Sequence, residues 1–351
     1  MTRTLRTFDP DAAAAPGTGL FGLPFAPAES RVVVIPVPFE ATVSWGGGTA
    51  GGPAAILRAS HQVDLFDWET GRPWEQGIAM LQIPRVLVAL NRETRRLAAP
   101  IIAAGGATKG SPRLERALAK VNAAGVQVND WVRRTAARAL DRGQIAVVLG
   151  GDHSVPFGSI QEHAARFPGL GILHVDAHCD LREAYEGFEW SHASIFHNVM
   201  TRLPGVSRLV QVAVRDMGAA EDAMVRRSRG RIVLFHDSEL ARRRDRGETW
   251  DRICRGIVLR LPRRVYVSFD IDGLDPSLCP GTGTPVPGGL SFSQATALLS
   301  AVVRSGRTIV GCDLTEVAPA PGGSKWDASV GARLLYKMIG FALLSGKARR
   351  V

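Results

Sequence analysis

The sequence predicts an α/β protein, a single three-layer α/β/α domain on a mostly parallel sheet. Seven β-rich runs are apolar without alternation: RVVVIPVP (31–38), IAVVLGG (145–151), LGILHVDAH (170–178), RLVQVAV (208–214), RIVLFHD (231–237), RVYVSFDID (264–272) and TIVGCDLTEV (308–317). Strands read this way when helices cover both faces of a parallel sheet. Most runs are followed by a helical pattern, as in SIQEHAARF, HASIFHNVMTRL, AAEDAMVRRSR, SFSQATALLSAVVRSG and KWDASVGARLLYKMIGFALLS. With 351 residues, 45% of them hydrophobic, the chain can bury a large core.

In chain order, residues 1–30 are rich in Ala, Pro and Gly and lack a continuous apolar h-region. They read as an arm, loose or packed on a neighbouring subunit, and not as a secretory signal. The domain proper is expected over 31–351. WGGGTAGGP (45–53) reads as a flexible loop leading to a helix that starts near Pro53. A phosphate-cradling loop competes, but the Walker spacing is absent. Residues 91–143 carry a long Ala/Arg-rich helical stretch broken by GGATKGSP, expected as helices or an insertion on the sheet. No repeat of fixed period is present.

Composition narrows the classes further. Net charge is +10, yet the arginines are dispersed and the densest cluster, ARRRDRG (241–247), is interrupted by an acid. A solvated basic surface is expected, with neither nucleic acid nor membrane as partner. No run reaches the roughly 20 apolar residues that span a bilayer. Cys179, Cys254, Cys279 and Cys312 lie far apart without CxxC spacing. That argues against a thiolate zinc site or a disulfide framework and for a cytoplasmic location.

Ligands in open α/β sheets bind outside the carboxyl ends of the strands. Three such ends are crowded with polar groups: VVLGGDHS (147–154), HVDAHCD (174–180) and SFDIDGLDP (268–276). Strand alternation would aim Asp176, His178 and Asp180 one way, and Asp270 and Asp272 likewise. His153 follows a Gly-Gly pair that permits a tight turn. Convergence would gather four carboxylates and two imidazoles. Crowded acids cannot all stay ionised unless something neutralises them. A pair of dications would do so, and oxygen donors with imidazole and no thiolate suit manganese, with magnesium, nickel and iron also open. The competing reading is a hydrogen-bonded polar cluster. Asp152 reads as a helix cap, Cys179 as packing, and His61, His163, His174, His197 and His236 as surface or satisfied core residues.

GGDHS (150–154), DAHCD (176–180) and SFDIDGLDP (268–276) together resemble the ureohydrolases, the family of arginase, agmatinase and other guanidino hydrolases. The resemblance spans about 31–345 and includes PVPFEATVSWGGGTAGGPAAI, GTGTPVPGGLS (281–291) and EVAP (316–319). It implies a parallel sheet of about eight strands between helices, and a homo-oligomer, trimer or hexamer. It also implies two Mn2+ per subunit held by His153, Asp176, His178, Asp180, Asp270 and Asp272. By the same likeness Asp180 passes a proton to the leaving nitrogen, Glu316 pairs with the guanidinium, and His192, in EWSHAS, shuttles protons or holds substrate. A titrating imidazole near neutrality suits that work.

The resemblance implies a small guanidino compound as substrate, and the sequence departs from arginases in two places. Arg182 stands where they carry asparagine. Gly218, in VRDMG, stands where they carry the aspartate that receives the α-ammonium. EAYEGFEWSHA (183–193) resembles agmatinase-like members, with Glu186 and Glu189 as partners for a distal ammonium. Agmatine is therefore the leading substrate. Arginine, or acid-tailed compounds such as guanidinobutyrate and formiminoglutamate that Arg182 would greet, are alternatives. An amide hydrolase of the related deacetylase fold, with one metal, and an inactive binding protein of the same fold are the readings outside this class.

Overall fold

A computed structural model describes residues 8–15, 17–319 and 323–347. Eight strands form one sheet: β1 (Val32–Val37), β2 (Ile78–Met80), β3 (Ile145–Gly150), β4 (Leu170–Val175), β5 (Val206–Val214), β6 (Ile232–His236), β7 (Arg264–Asp270) and β8 (Thr308–Thr315). The order across the sheet is β2-β1-β3-β8-β7-β4-β5-β6. Every pairing is parallel. Six of the seven predicted runs end within two residues of their strand. The seventh, β4, stops at Val175, so that 176–180 leaves the sheet as a loop.

Helices cover both faces. On one side lie α1 (Gly52–Ala59), α8 (Trp250–Val258), α9 (Phe292–Arg304) and α10 (Trp326–Lys347), over a core that includes Val147, Leu173, Val267 and Leu314. On the other lie α2 (Arg85–Ala103), α3 (Pro112–Asp141), α4 (Phe157–Arg166) and α5 (Ile195–Arg202). α6 (Ala219–Arg227) and α7 (Asp237–Asp245) close the β6 edge. The 91–143 stretch thus resolves into α2 and α3 on the sheet. In α3 the buried row Ala117, Val121, Ala124, Val128, Val132, Ala136 and Ala139 repeats at three- and four-residue spacing, the stripe of a core-facing helix. α9 starts on a reciprocal cap: Ser291 Oγ accepts from the Gln294 amide (3.2 Å) and Gln294 Oε1 from the Ser291 amide (2.9 Å). Trp326–Gly346 of α10 is long and apolar enough to cross a membrane by length and composition, but 78% of its apolar window is buried inside this domain.

Two features depart from the sequence reading. β2 has three residues, too short for any periodicity to show. The arm, expected to be loose or to seek a neighbour, docks on its own domain from Leu20 onward. Leu20, Phe21 and Leu23 are buried, the Phe21 amide donates to Ser60 Oγ (2.8 Å), and the Phe21 ring meets Tyr336 edge-on at 4.7 Å. Three large apolar side chains within four residues outweigh the Ala/Pro/Gly background. Residues 1–7 lie outside the described residues.

The strand order places the site. The four central strands, β3, β8, β7 and β4, come from opposite halves of the chain, and their carboxyl ends open into one crevice.

Candidate metal centre

His153 enters the crevice just after β3. Its preceding glycines serve close approach rather than an unusual turn: a Cβ on Gly151 would lie 2.0 Å from the Phe39 carbonyl oxygen, and one on Gly150 would strike Thr315 and Val155. Only glycine lets these backbones pack so closely. Asp152 caps the turn that follows, its Oδ1 accepting from the Ser154 amide (3.0 Å). The His153 amide donates to Glu316 Oε1 (2.9 Å), which ties the end of β3 to the end of β8.

The six predicted ligands meet. His153 Nδ1 lies 3.0 Å from Asp176 Oδ2, 3.2 Å from Asp180 Oδ2 and 3.2 Å from Asp270 Oδ2. His178 Nδ1 lies 3.3 Å from Asp176 Oδ1 and 3.1 Å from Asp272 Oδ2. Asp176 therefore gives one oxygen to each imidazole and joins two groups of donors: His153, His174, Asp176 and Asp180, and Asp176, His178 and Asp272.

They do not converge by strand pleat, as alternation suggested. Asp180 has φ 54° in a loop, and Asp272 lies in the helical turn Ile271–Gly273, its amide bonded to Asp270 Oδ1 (2.8 Å). The left-handed Asp180 is held by the first amides of α5, since Phe196 and His197 both donate to its carbonyl (3.0 and 3.2 Å). Such strain persists where the surroundings over-determine it.

One residue read as structural belongs to this cluster as well. His174, buried on β4, hydrogen-bonds Asp176 Oδ2 (2.8 Å), and Gln211 Nε2 donates to its Nδ1 (2.9 Å). Nδ1 is then the acceptor and Nε2–H the donor, so the ring is neutral. Burial agrees, pushing its pKa down to about 4. The i, i+2 spacing of His174 and Asp176 carried this signal, but only the fold supplies Gln211. Behind His153, Nε2 contacts Ser268 Oγ (3.0 Å), which donates to buried Asp313 (2.8 Å).

The electrostatics test the metal reading. Asp176, Asp180, Asp270 and Asp272 are all buried. Burial and the neighbouring carboxylates raise Asp270 well above the usual range and Asp180 to about 7. His178 is pushed up to about 12, the hydrogen bonds of Asp176 and Asp272 outweighing its burial. At neutral pH protons and imidazolium charge thus stand in for missing positive charge. Oxygen donors with two imidazole nitrogens, short of countercharge and bridged by one carboxylate, fit a pair of divalent cations.

Beside the cluster a cleft of about 280 Å3 is lined by His178, Asp180, His192, Arg182, Tyr185, Asp216 and Glu221, with Trp45 and 284–286. His192 presents a buried Nδ1 without a partner among the described residues, and burial with the charge of His178 lowers it to about 4. Burial thus favours the neutral form of this imidazole. Glu316 sits behind this lining with φ 64°, and its buried Oε2 has no partner among the described residues.

Glu186 and Glu189 do not line the cleft. Glu189 pairs instead with Arg202 (3.6 Å). Besides Asp180, the acids on the wall are Asp216, from VRDMG, and Glu221, from the run read only as a helix. Glu221 caps α6 through the Gly218 amide (2.7 Å) and faces Arg182 (3.8 Å). Cys179 is buried, and burial pushes its thiol up, consistent with packing.

A family model described as the Arginase family matches residues 30–340. The chain is 36% identical over 314 residues to an N(1)-aminopropylagmatine ureohydrolase of Thermus thermophilus, covering 89% of this chain and 90% of that protein. To the agmatinase of Neisseria meningitidis serogroup A it is 32% identical over 332 residues, 92% of this chain and 91% of that one. Among solved structures the fold is similar to the agmatine ureohydrolase of Thermoplasma volcanium, with a TM-score of 0.70 at 22% identity over 93% of this chain and 94% of the other.

Proposed function

We propose that this chain, which belongs to the arginase family, releases urea from a guanidino compound with an amine-bearing tail, agmatine or its aminopropyl derivative. The carrying observation is the pair of donor groups joined by Asp176, beside a cleft whose unpaired charge is negative. His153, Asp176, His178, Asp180, Asp270 and Asp272 would hold two divalent cations, for which manganese is the expected ion. Once bound, such cations neutralise the crowded carboxylates and acidify the water that attacks the guanidinium carbon.

The chain's own groups do the rest. Oε2 of Glu316 is the free acceptor at the inner end and can pair with a guanidinium N–H, Oε1 being held by His153. Asp180, on the cleft wall, can take a proton and return it to the departing amine. Neutral His192 can hydrogen-bond substrate through Nδ1 or Nε2 without adding charge.

The tail preference follows from the wall. Arg182 would favour a carboxylate, but its charge is answered by Glu221 and its guanidinium lies over the Tyr185 ring (5.3 Å). Among the described residues Asp216 has no ion-pair partner, which leaves an acid to meet an ammonium. Agmatine and the larger N(1)-aminopropylagmatine both carry one.

Colorimetric urea release by the manganese-loaded protein tests this, with agmatine, N(1)-aminopropylagmatine, arginine and 4-guanidinobutyrate. Urea is expected from the first two, at rates well above the others. If two metals bind per chain and none of the four yields urea, the proposal fails.

A further inference from the structure

Trp45 projects into solvent at the mouth of the cleft, 83% exposed, although indole is among the costliest side chains to leave in water. Its backbone is nevertheless held on both sides: before it, the Val43 carbonyl accepts from the Arg95 guanidinium. The Gly46 amide donates to the Gly283 carbonyl (3.1 Å), and a Cβ on Gly46 would lie 2.8 Å from that oxygen. Beyond it, Glu40 Oε2 accepts from the Gly48 amide (2.7 Å), Thr49 Oγ1 (3.0 Å) and the Ala50 amide (3.1 Å). The loop that sequence composition marked as flexible is thus tied down at either flank of Trp45, and an exposed ring is presented from an anchored backbone.

Three aromatic rings carry a cation among the described residues: Tyr185 under Arg182, Trp190 under Arg202 and Phe167 under Arg264. Trp45 shares the cleft with Tyr185 yet bears none, and unpaired Asp216 lines the same space. A cationic ligand leaving the inner site between these groups would find a ring face and a carboxylate both open to it. Indole offers the strongest face for such a contact.

We infer that Trp45 is a specificity residue, a ring at the cleft mouth that receives the distal ammonium or secondary amine of the substrate's tail. This rests on the proposed cleavage of amine-tailed guanidino compounds and assigns the outer half of that site. Long polyamine tails gain most from it, and acid-tailed compounds gain nothing.

The test uses the manganese-loaded protein and the variants Trp45→Ala and Trp45→Phe. The exposed indole makes few packing contacts, so both are expected to fold. For Trp45→Ala, KM for N(1)-aminopropylagmatine is expected to rise about tenfold and kcat to change much less. Phenylalanine should recover most of the loss, and values for 4-guanidinobutyrate should stay where they are. Independently of turnover, calorimetric titration with spermidine, a triamine without a guanidinium, should show about tenfold weaker binding to Trp45→Ala.

Unchanged spermidine affinity in Trp45→Ala, no spermidine binding by the parent protein, or equal losses for acid- and amine-tailed compounds would each overturn the assignment. Absence of urea from every amine-tailed compound with the parent protein would instead defeat the functional reading, and the two failures are told apart by the spermidine arm.

Discussion

Glu316 shows how much one side chain is asked to do at this site. Its left-handed backbone is fixed by a hydrogen bond from its amide to Gly151 (2.8 Å), one carboxylate oxygen is committed to His153, and the other is buried and free. Glu316→Gln keeps the shape and puts an amide in place of the carboxyl group. Urea release should fall by roughly a hundredfold or more with both metals still bound, as elemental analysis would report. Loss of metal along with activity would show that Glu316 works through the ligands instead.

A second residue-scale expectation lies outside the site. His163 is fully buried, its Nδ1–H donating to the Ser159 carbonyl (2.7 Å), and burial pulls its pKa down to about 4. A free imidazole titrates near 6.5. The unfolded chain therefore binds this proton first as pH falls. The stability contributed by neutral His163 is complete above about 6.5 and drains away toward 4. His163→Asn keeps a donor for Ser159 without a titrating ring. Between pH 7 and 5 its unfolding free energy should fall about 2 kcal/mol less than that of the parent, as denaturant titrations at both pH values would show. Parallel slopes would exclude His163 as a source of acid lability.

Among the elements, α2 and α3 do more than cover the sheet. Phe188 is buried among Ala98, Ile101, Ala117 and Val121, and Asn122 Oδ1 accepts from the Glu189 amide (3.0 Å). A Cβ on Gly125 would come within 2.6 Å of the Trp190 side chain. This hairpin therefore seats the 183–190 loop, which brings Tyr185 and then His192 to the cleft. In Gly125→Ala the loop has to shift. KM should rise severalfold while metal content is kept, and the helix should not gain the roughly 1 kcal/mol that Gly→Ala gives at an open helical position. A thermal melt and a saturation curve check both parts. The sequence showed that 91–143 is helical, but the loop it supports lies some 60 residues away, and no local pattern carries that distance.

For the molecule as a whole, the acids at the centre would couple metal, protons and stability. His153 and His178 must give up their protons to become ligands, and the raised carboxyls of Asp180 and Asp270 must ionise. Loading manganese near pH 7 should therefore release roughly two or more protons per chain, measurable with a pH indicator at low buffer. Chelation should abolish urea release and lower the melting temperature, because the ions bind the folded site alone. Uptake without proton release would mean that the imidazoles are not ligands.

The sequence alone determined the strand–helix alternation, the parallel sheet and the six polar side chains that gather at the crevice, because burial on both faces writes unbroken apolar runs and because acids at strand ends have few structural uses. It could not show that DAHCD gathers by a loop instead of by pleat, or that Leu20 and Phe21 find a seat on their own domain. The partners of the cleft were equally out of reach. Glu186 and Glu189 turn away from it, Asp216 and Glu221 face it, and Trp45 stands at its mouth. Those are contacts between segments far apart in the chain, fixed by close backbone approach at Gly46, Gly125 and Gly151, and only the packed tertiary structure decides which side chains end up in the same space.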